Sequence, residues 1–233
     1  MRRVALLSLA FLLFLPAARN SAATAEQTKS LEADGNNTLI ESPDGSLSNG
    51  KGPGIFVGRT GQTAGSIRRG LIKFDIAGAL PAGSKITSAK LTMYVTMSAG
   101  GDTTANLQLH RAMQNWGEGD SNSAGGRGAP ASDGDATWVH TFYPNKRWTR
   151  PGGHFQPRPS ATTPVAGNGA FTWSDPRLVS DVQRWLDLPR NNFGWFILGD
   201  ERKSATARVF ASRHNADAAS RPHLTLTFIP PKR

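Results

Sequence analysis

The sequence LTMYVTM, residues 91–97, alternates apolar and polar side chains at every position. A repeat of two residues is typical of a β-strand with one buried face. The buried face would consist of Leu91, Met93, Val95 and Met97. The sequence LTLTF, residues 224–228, has the same pattern. We therefore predict a half-buried strand at each of these two places.

Shorter apolar stretches extend this pattern along the chain. Alternating apolar residues also occur at Ile72, Phe74 and Ile76 and at Leu107 and Leu109. The run WFIL, residues 195–198, contains no polar residue, which favours a strand covered on both faces. Gly- and Pro-rich turns such as NGKGPG, residues 49–54, separate these stretches. Many short strands between such turns predict an all-β fold, a jelly-roll β-sandwich of short antiparallel strands.

One segment has a helical pattern instead. The sequence Ser174-Asp175-Pro176 is a helix start signal. Apolar residues follow it at helical spacing, at Leu178, Val182, Trp185 and Leu186. We predict one short helix here, with Trp185 in the core rather than in contact with a ligand, because it shares the apolar stripe.

Composition and the N-terminus limit the classes of protein. The chain has 233 residues and no cysteine, which excludes disulfides, thiolate metal ligands and a thiol nucleophile. Two arginines, an apolar run at residues 4–15 and small residues at 23–25 predict a signal peptide over residues 1–25. The run is shorter than the roughly 20 residues that span a bilayer. We expect residues 26–233 to form a single domain that is secreted, extracellular or periplasmic, with no membrane span.

The charge balance indicates the class of partner. Lys and Arg number 27 against 17 Asp and Glu, a net charge of +10. For an exported protein this favours an acidic polysaccharide or an anionic cell surface over nucleic acid as partner. Residues 136–174 contain no Asp or Glu but several basic and aromatic residues. Such a segment can bind anionic sugars, because rings stack on sugars while cations pair with carboxylate or sulfate. The candidate carbohydrate-binding residues are Trp138, His140, Tyr143, Trp148 and Arg150. Alternatively, the rings fill the core and the cations face solvent.

Eight motifs occur in an order that resembles a known family. They are NNTLIES (36–42), SIRRGLIKFD (66–75), WGEG (116–119), GDATW (134–138), PGGHF (151–155), NNFGWFILGDE (191–201), RVFASRHN (208–215) and RPHLTLTF (221–228). Together they resemble the secreted DNRLRE-domain proteins, which are similar to a carbohydrate-binding module family with a jelly-roll fold. The resemblance covers the whole chain after residue 25. It implies a carbohydrate-binding module, although such modules usually accompany a polysaccharide lyase, and no lyase domain occurs in this sequence.

A structural calcium ion is a further possibility. The candidate ligands are Asp34, Asn36, Glu41 and Asp44, whose oxygens are the type that Ca²⁺ accepts. The alternative is ordinary turn chemistry, in which Asx side chains bind nearby backbone groups. No other cofactor is expected. Arg69 and Asp75 lie in the motifs, and we expect structural ion pairs for them.

Catalysis is not expected, since no pair of residues has the spacing that acid–base chemistry requires. His140 and Tyr143, three residues apart, would lie on opposite faces of a regular strand. We therefore expect a monomeric, non-catalytic module that binds a polysaccharide, and the charge balance favours an anionic one. A structural or adhesive surface protein is the first alternative. A polysaccharide lyase that uses Tyr143, His140 or His154, and Arg150 is the second.

Overall fold

The computed structural model describes residues 25–232. The signal peptide predicted for residues 1–25 falls outside this range, apart from Ala25. The strands are β1 (Gln27–Glu32), β2 (Gly35–Ile40), β3 (Leu47–Asn49), β4 (Gly54–Arg59), β5 (Ile67–Lys73), β6 (Lys85–Ser98), β7 (Ala105–Arg111), β8 (Ala129–Pro130), β9 (His140–Phe142), β10 (Lys146–Arg147), β11 (Ala161–Val165), β12 (Gly169–Trp173), β13 (Trp195–Leu198), β14 (Arg208–Ala211) and β15 (His223–Ile229). The helices are α1 (Ile76–Ala79) and α2 (Pro176–Asp187), and 3₁₀ turns occupy Pro189–Asn191 and Ala218–Ser220. Within residues 25–232, none of the helices has the length and apolar character needed to cross a membrane.

The strands form two layers of antiparallel sheet, which confirms the predicted all-β sandwich. In the first layer, β6 pairs with β15, β14 and β12, while β1 and β4 extend the layer beyond β15 and β14. The second layer runs β11-β7-β13-β5-β2-β3-β8. The end of β4 also pairs with β5, so the layers join at one corner. The jelly-roll connection remains a prediction.

The first core lies between the layers, because apolar side chains of both layers belong to one buried cluster. Leu91, Met93 and Val95 of β6 are buried in it, as the alternation predicts. Met97 is instead 64% exposed. Val209 of β14 pairs with Met97, whereas the next residue, Phe210, pairs with Val95, so β6 has one extra residue between these pairs. Such a bulge interrupts the alternation of faces, which explains why the prediction for Met97 is wrong.

Helix α2 closes this core. Asp175 is its N-cap and accepts a hydrogen bond from the backbone N of Arg177. All four predicted apolar residues are buried, and the helix packs against β6. The predicted helix and the core position of Trp185 are therefore confirmed.

The chain has a second helix, the single turn α1, where the sequence predicted a strand running through Ile76. Strand β5 ends at Lys73, and Asp75 caps α1 by accepting from the backbone N of Gly78.

A second core covers the outer face of the second layer. In β13, Trp195 and Ile197 belong to the first core, whereas Phe196 points to the opposite face. There it packs with buried residues of β2, β5 and the connection between β7 and β11, which are Leu39, Leu71, Ala112, Trp116, Ala136 and Trp148. The prediction that residues 195–198 are covered on both faces is confirmed.

Candidate functional site

The acid-free segment starting at residue 136 is anchored on the second core by Trp148. This side chain is only 5% exposed. Its Nε1 donates to the carbonyl oxygen of Thr137 at 2.9 Å, and its ring centre lies 5.4 Å from that of Phe196. A ring enclosed in this way offers no face to a sugar. The stacking role predicted for Trp148 therefore does not fit the structure, and its physical role is to hold the segment on the sheet.

His140 is also buried, so it too is out of reach of a ligand. Its Nδ1 lies 3.0 Å from Oγ1 of Thr137. Burial lowers the pKa of His140, and the nearby charge of Arg147 lowers it further. The rings of His140 and Tyr143 are in edge-to-face contact, with centres 5.2 Å apart. The expectation of opposite faces is wrong because β9 ends at Phe142 and Tyr143 lies in the turn that follows.

Trp138 is half-buried beneath the guanidinium of Arg69, whose Cζ lies 4.8 Å from the ring centre. Arg69 forms a two-bond pair with Glu201, with Nε to Oε1 at 2.7 Å and Nη2 to Oε2 at 2.8 Å. Its Nη1 donates to the carbonyl oxygen of Gly152 at 2.6 Å. The expected structural ion pair of Arg69 is confirmed, whereas Asp75 is used as a helix cap. One face of the Trp138 ring is consequently occupied by a cation of the protein itself.

Three exposed cations of the segment, Lys146, Arg147 and Arg150, lie within five residues of one another, and we call them the cationic hairpin. None of them has an ion pair with any residue between 25 and 232. Lys146 Nζ lies 5.3 Å from the ring centre of Phe142, and Arg150 Cζ lies 5.7 Å from that of Phe155. Among these three cations, Lys146 and Arg150 thus lie over aromatic rings. Tyr143 is half-buried.

The backbone N–H groups of residues on both sides of Arg150 in the sequence form hydrogen bonds that fix the backbone at this position. Trp148 N donates to Val139 O at 3.1 Å, and Gly152 N donates to Trp138 O at 2.6 Å. Thr149 N donates to Oε1 of Gln114 at 2.9 Å. These bonds fix the backbone around Arg150 before any ligand arrives, which reduces the conformational entropy that binding would cost.

The four predicted calcium ligands do not form a metal site. Asn36 uses its amide within the fold, since Nδ2 donates to Gly50 O at 2.7 Å and Oδ1 accepts from Arg213 N at 2.8 Å. Oε2 of Glu41 accepts from the backbone N of Ile67 at 2.9 Å. Asp44 Oδ1 accepts from the backbone N of Ser46 at 3.1 Å, which is the turn chemistry of the alternative hypothesis. Asp34 is exposed. Across residues 25–232, no three His, Asp or Glu side chains lie together in a way that could hold a metal ion.

A polar cluster around Glu118 was missed as a site by sequence reasoning. Oε1 of Glu118 accepts from the backbone N of Asn36 at 2.9 Å and lies 3.1 Å from Nε2 of His214 and 3.5 Å from Nε of Arg213. Its backbone oxygen accepts from Nδ2 of Asn37 at 2.8 Å. The signal that could have found it was present, because three of the family-like motifs contain these residues. Glu118 therefore holds three chain segments together, and its carboxylate is used for these contacts rather than being available for catalysis.

Neither a scan against protein-family models nor a search of curated proteins finds a match for this chain. The resemblance to DNRLRE-domain proteins therefore rests on the eight motifs alone.

Proposed function

We propose that the protein is a secreted, non-catalytic module that binds an acidic polysaccharide at the cationic hairpin. One observation carries the proposal: the acid-free segment buries Trp148 and His140 as anchors and leaves Lys146, Arg147 and Arg150 exposed without ion pairs. Carboxylate and sulfate groups are the partners that such cations take in charge-assisted hydrogen bonds. The DNRLRE resemblance supports the same class of ligand.

Binding at this surface depends mainly on charge. Trp148 cannot stack on a sugar, and one face of Trp138 is occupied by Arg69. Interactions between exposed charges are screened over about 8 Å at physiological ionic strength. The affinity is therefore expected to fall steeply with salt, more than it would for a module that binds mainly by stacking.

The test uses a variant in which the three cations of the hairpin are replaced by neutral residues, Lys146→Gln with Arg147→Gln and Arg150→Gln. We call it the hairpin variant. Binding is measured by calorimetry with polygalacturonate, heparin and neutral dextran at two salt concentrations. We expect at least tenfold weaker binding of the acidic polymers than in the wild type and no binding of dextran. The matched control removes the same charge elsewhere, at the exposed cations Lys90, Arg190 and Lys203. An equal loss in both variants would mean that only net charge matters.

That equal loss is what the first alternative predicts, a structural or adhesive protein without a specific sugar site. The second alternative, a lyase, is favoured by the contact between His140 and Tyr143. The burial of His140 counts against it, because a catalytic base must reach the proton that it removes. Incubation with polyuronate distinguishes the two, since a lyase forms unsaturated ends that absorb ultraviolet light and a binding module does not.

A further inference from the structure

Arg111, at the end of β7, is held in a fixed position by a carboxylate of helix α2. Its Nε lies 2.9 Å from Oδ1 of Asp181, and the two side chains are only 18% and 13% exposed. The other oxygen of Asp181 accepts from Oγ of Ser160 and, at 3.0 Å, from Nε1 of Trp195. Burial raises the pKa of Asp181, while these hydrogen bonds and the charge of Arg111 oppose the rise. Both oxygens of Asp181 are thus already engaged.

Arg111 contacts Asp181 through Nε, and its terminal nitrogens form no hydrogen bond with any residue between 25 and 232. The side chain lines a small cavity of about 190 Å³. Two further arginines, Arg158 and Arg177, line the same cavity, which we call the three-arginine pocket. Arg158 is exposed and has no ion pair with a described residue. Arg177 pairs with Asp175 at 3.3 Å. The only acid in the lining is Asp181, so positive charge is in excess there.

The size of the cavity limits what can enter it. Sites for whole small molecules usually measure about 300–1,000 Å³, so this pocket suits a single ionised group better than a sugar ring. A second cleft, of about 910 Å³, shares Arg111, Ser180 and Asp181 with the pocket and runs along α2. It offers space for the sugar to which the ionised group is attached.

We propose that the three-arginine pocket binds one carboxylate or sulfate group of an acidic glycan, as a subsite separate from the cationic hairpin. The terminal N–H groups of Arg111 and the unpaired guanidinium of Arg158 match the oxygens of such an anion. Arg177, whose Nε and Nη2 face Asp175, adds positive charge, and Asp181 fixes the orientation of Arg111 in advance. The identity of the ligand as a glycan rests on the proposed function. The affinity of the pocket for an oxyanion does not.

The first experiment uses inorganic sulfate as the probe, at constant ionic strength with chloride. Sulfate is titrated into the ¹⁵N-labelled protein while the Nε–H resonances of Arg111 and Arg177 are followed. We expect saturable shifts in the wild type. The variant Arg158→Gln with Arg177→Gln, which we call the pocket variant, should bind sulfate at least tenfold more weakly. Arg111 is left intact, because its removal would leave the buried Asp181 without its cation. If the double variant does not fold, Arg158→Gln alone serves, since this side chain is exposed and unpaired.

The control variant Lys90→Gln with Arg190→Gln removes the same charge from exposed positions, and it should bind sulfate like the wild type. The hairpin variant should also retain sulfate binding in the pocket. Equal sulfate affinity in the pocket variant and the wild type would overturn the proposal. So would shifts that do not saturate.

The second experiment distinguishes the sources of the anion. Oligogalacturonate carries only carboxylates, heparin oligosaccharides carry sulfates as well, and neutral dextran oligomers carry neither. We expect the pocket variant to lose at least fivefold in affinity for one of the two acidic oligomers. Equal affinity of the pocket variant and the wild type for both acidic oligomers would contradict the glycan subsite. If sulfate binds in the pocket but no glycan binds the wild type, the proposed function fails and the oxyanion pocket remains.

Discussion

At the scale of single residues, His110 shows how burial links the fold to pH. The side chain lies in β7 and is only 4% exposed. Its Nδ1 lies 2.8 Å from the carbonyl oxygen of Gln156, which can only accept, so Nδ1 carries the proton. The ring also meets the edge of Phe155, with centres 5.2 Å apart. Burial lowers the pKa of His110, and the charge of Arg69 adds to that effect.

This pKa direction predicts how stability changes with pH. In the unfolded chain a histidine titrates near pH 6.5, so as the pH falls through that value the unfolded state gains a proton before the folded His110, whose pKa is lower. Folding stability therefore falls as the pH falls below about 6.5. We expect urea unfolding between pH 8 and pH 5 to show this loss in the wild type and a smaller loss in His110→Gln. The same pH slope in both proteins would contradict the assignment.

At the scale of elements, the hairpin of β9 and β10 depends on an anchor that lies outside its own strands. Its register shifts between Lys146 and Arg147, and only two residue pairs join the strands. A hairpin of this size is not stable in water by itself. Trp148 and its contact with Phe196 tie it to the second core.

We therefore expect Trp148→Ala to destabilise the protein by about 3–5 kcal/mol. For a chain of this size that corresponds to a fall in Tm of roughly 6–20 °C. Differential scanning calorimetry measures the change. The matched control on the same hairpin, Lys146→Ala, removes an exposed side chain and should alter stability by less than about 0.5 kcal/mol. An unchanged Tm in Trp148→Ala would show that the ring is not part of the core.

At the scale of the whole molecule, the two cores share the second layer of the sandwich. Strand β13 supplies Trp195 to one core and Phe196 to the other. The tryptophans divide in the same way, because Trp173, Trp185 and Trp195 belong to the first core, while Trp116, Trp138 and Trp148 lie in or against the second. Unfolding of either core would expose one apolar face of the shared strands to water.

This arrangement predicts that both cores unfold together, as expected if residues 26–233 form a single domain. With 5-fluorotryptophan, each of the six tryptophans gives its own ¹⁹F resonance, which Trp→Phe variants can assign. We expect all six native resonances to disappear at the same urea concentration. An earlier loss of Trp116 and Trp148 than of Trp185 and Trp195 would show that the second core is an independent layer.

The sequence by itself determined the local elements. The alternation around Leu91 and the helical stripe that contains Trp185 predicted a strand and a helix that the structure contains. The unbroken run at residues 195–198 also predicted that both faces of β13 are covered. These predictions succeed because the period of apolar residues along a chain reflects which side of an element faces water.

Only the tertiary structure decided which aromatic and charged groups remain at the surface. Trp148 is sealed against Phe196, and Arg69 covers Trp138 because Glu201, 132 residues away along the chain, holds it there. Likewise, a bulge in β6, defined by its pairing with β14, turned Met97 outward. Contacts between distant segments leave no periodic signal in the sequence. The sequence therefore predicted a basic segment around Arg150 but not which of its rings are buried, and the three-arginine pocket depends entirely on contacts between distant segments.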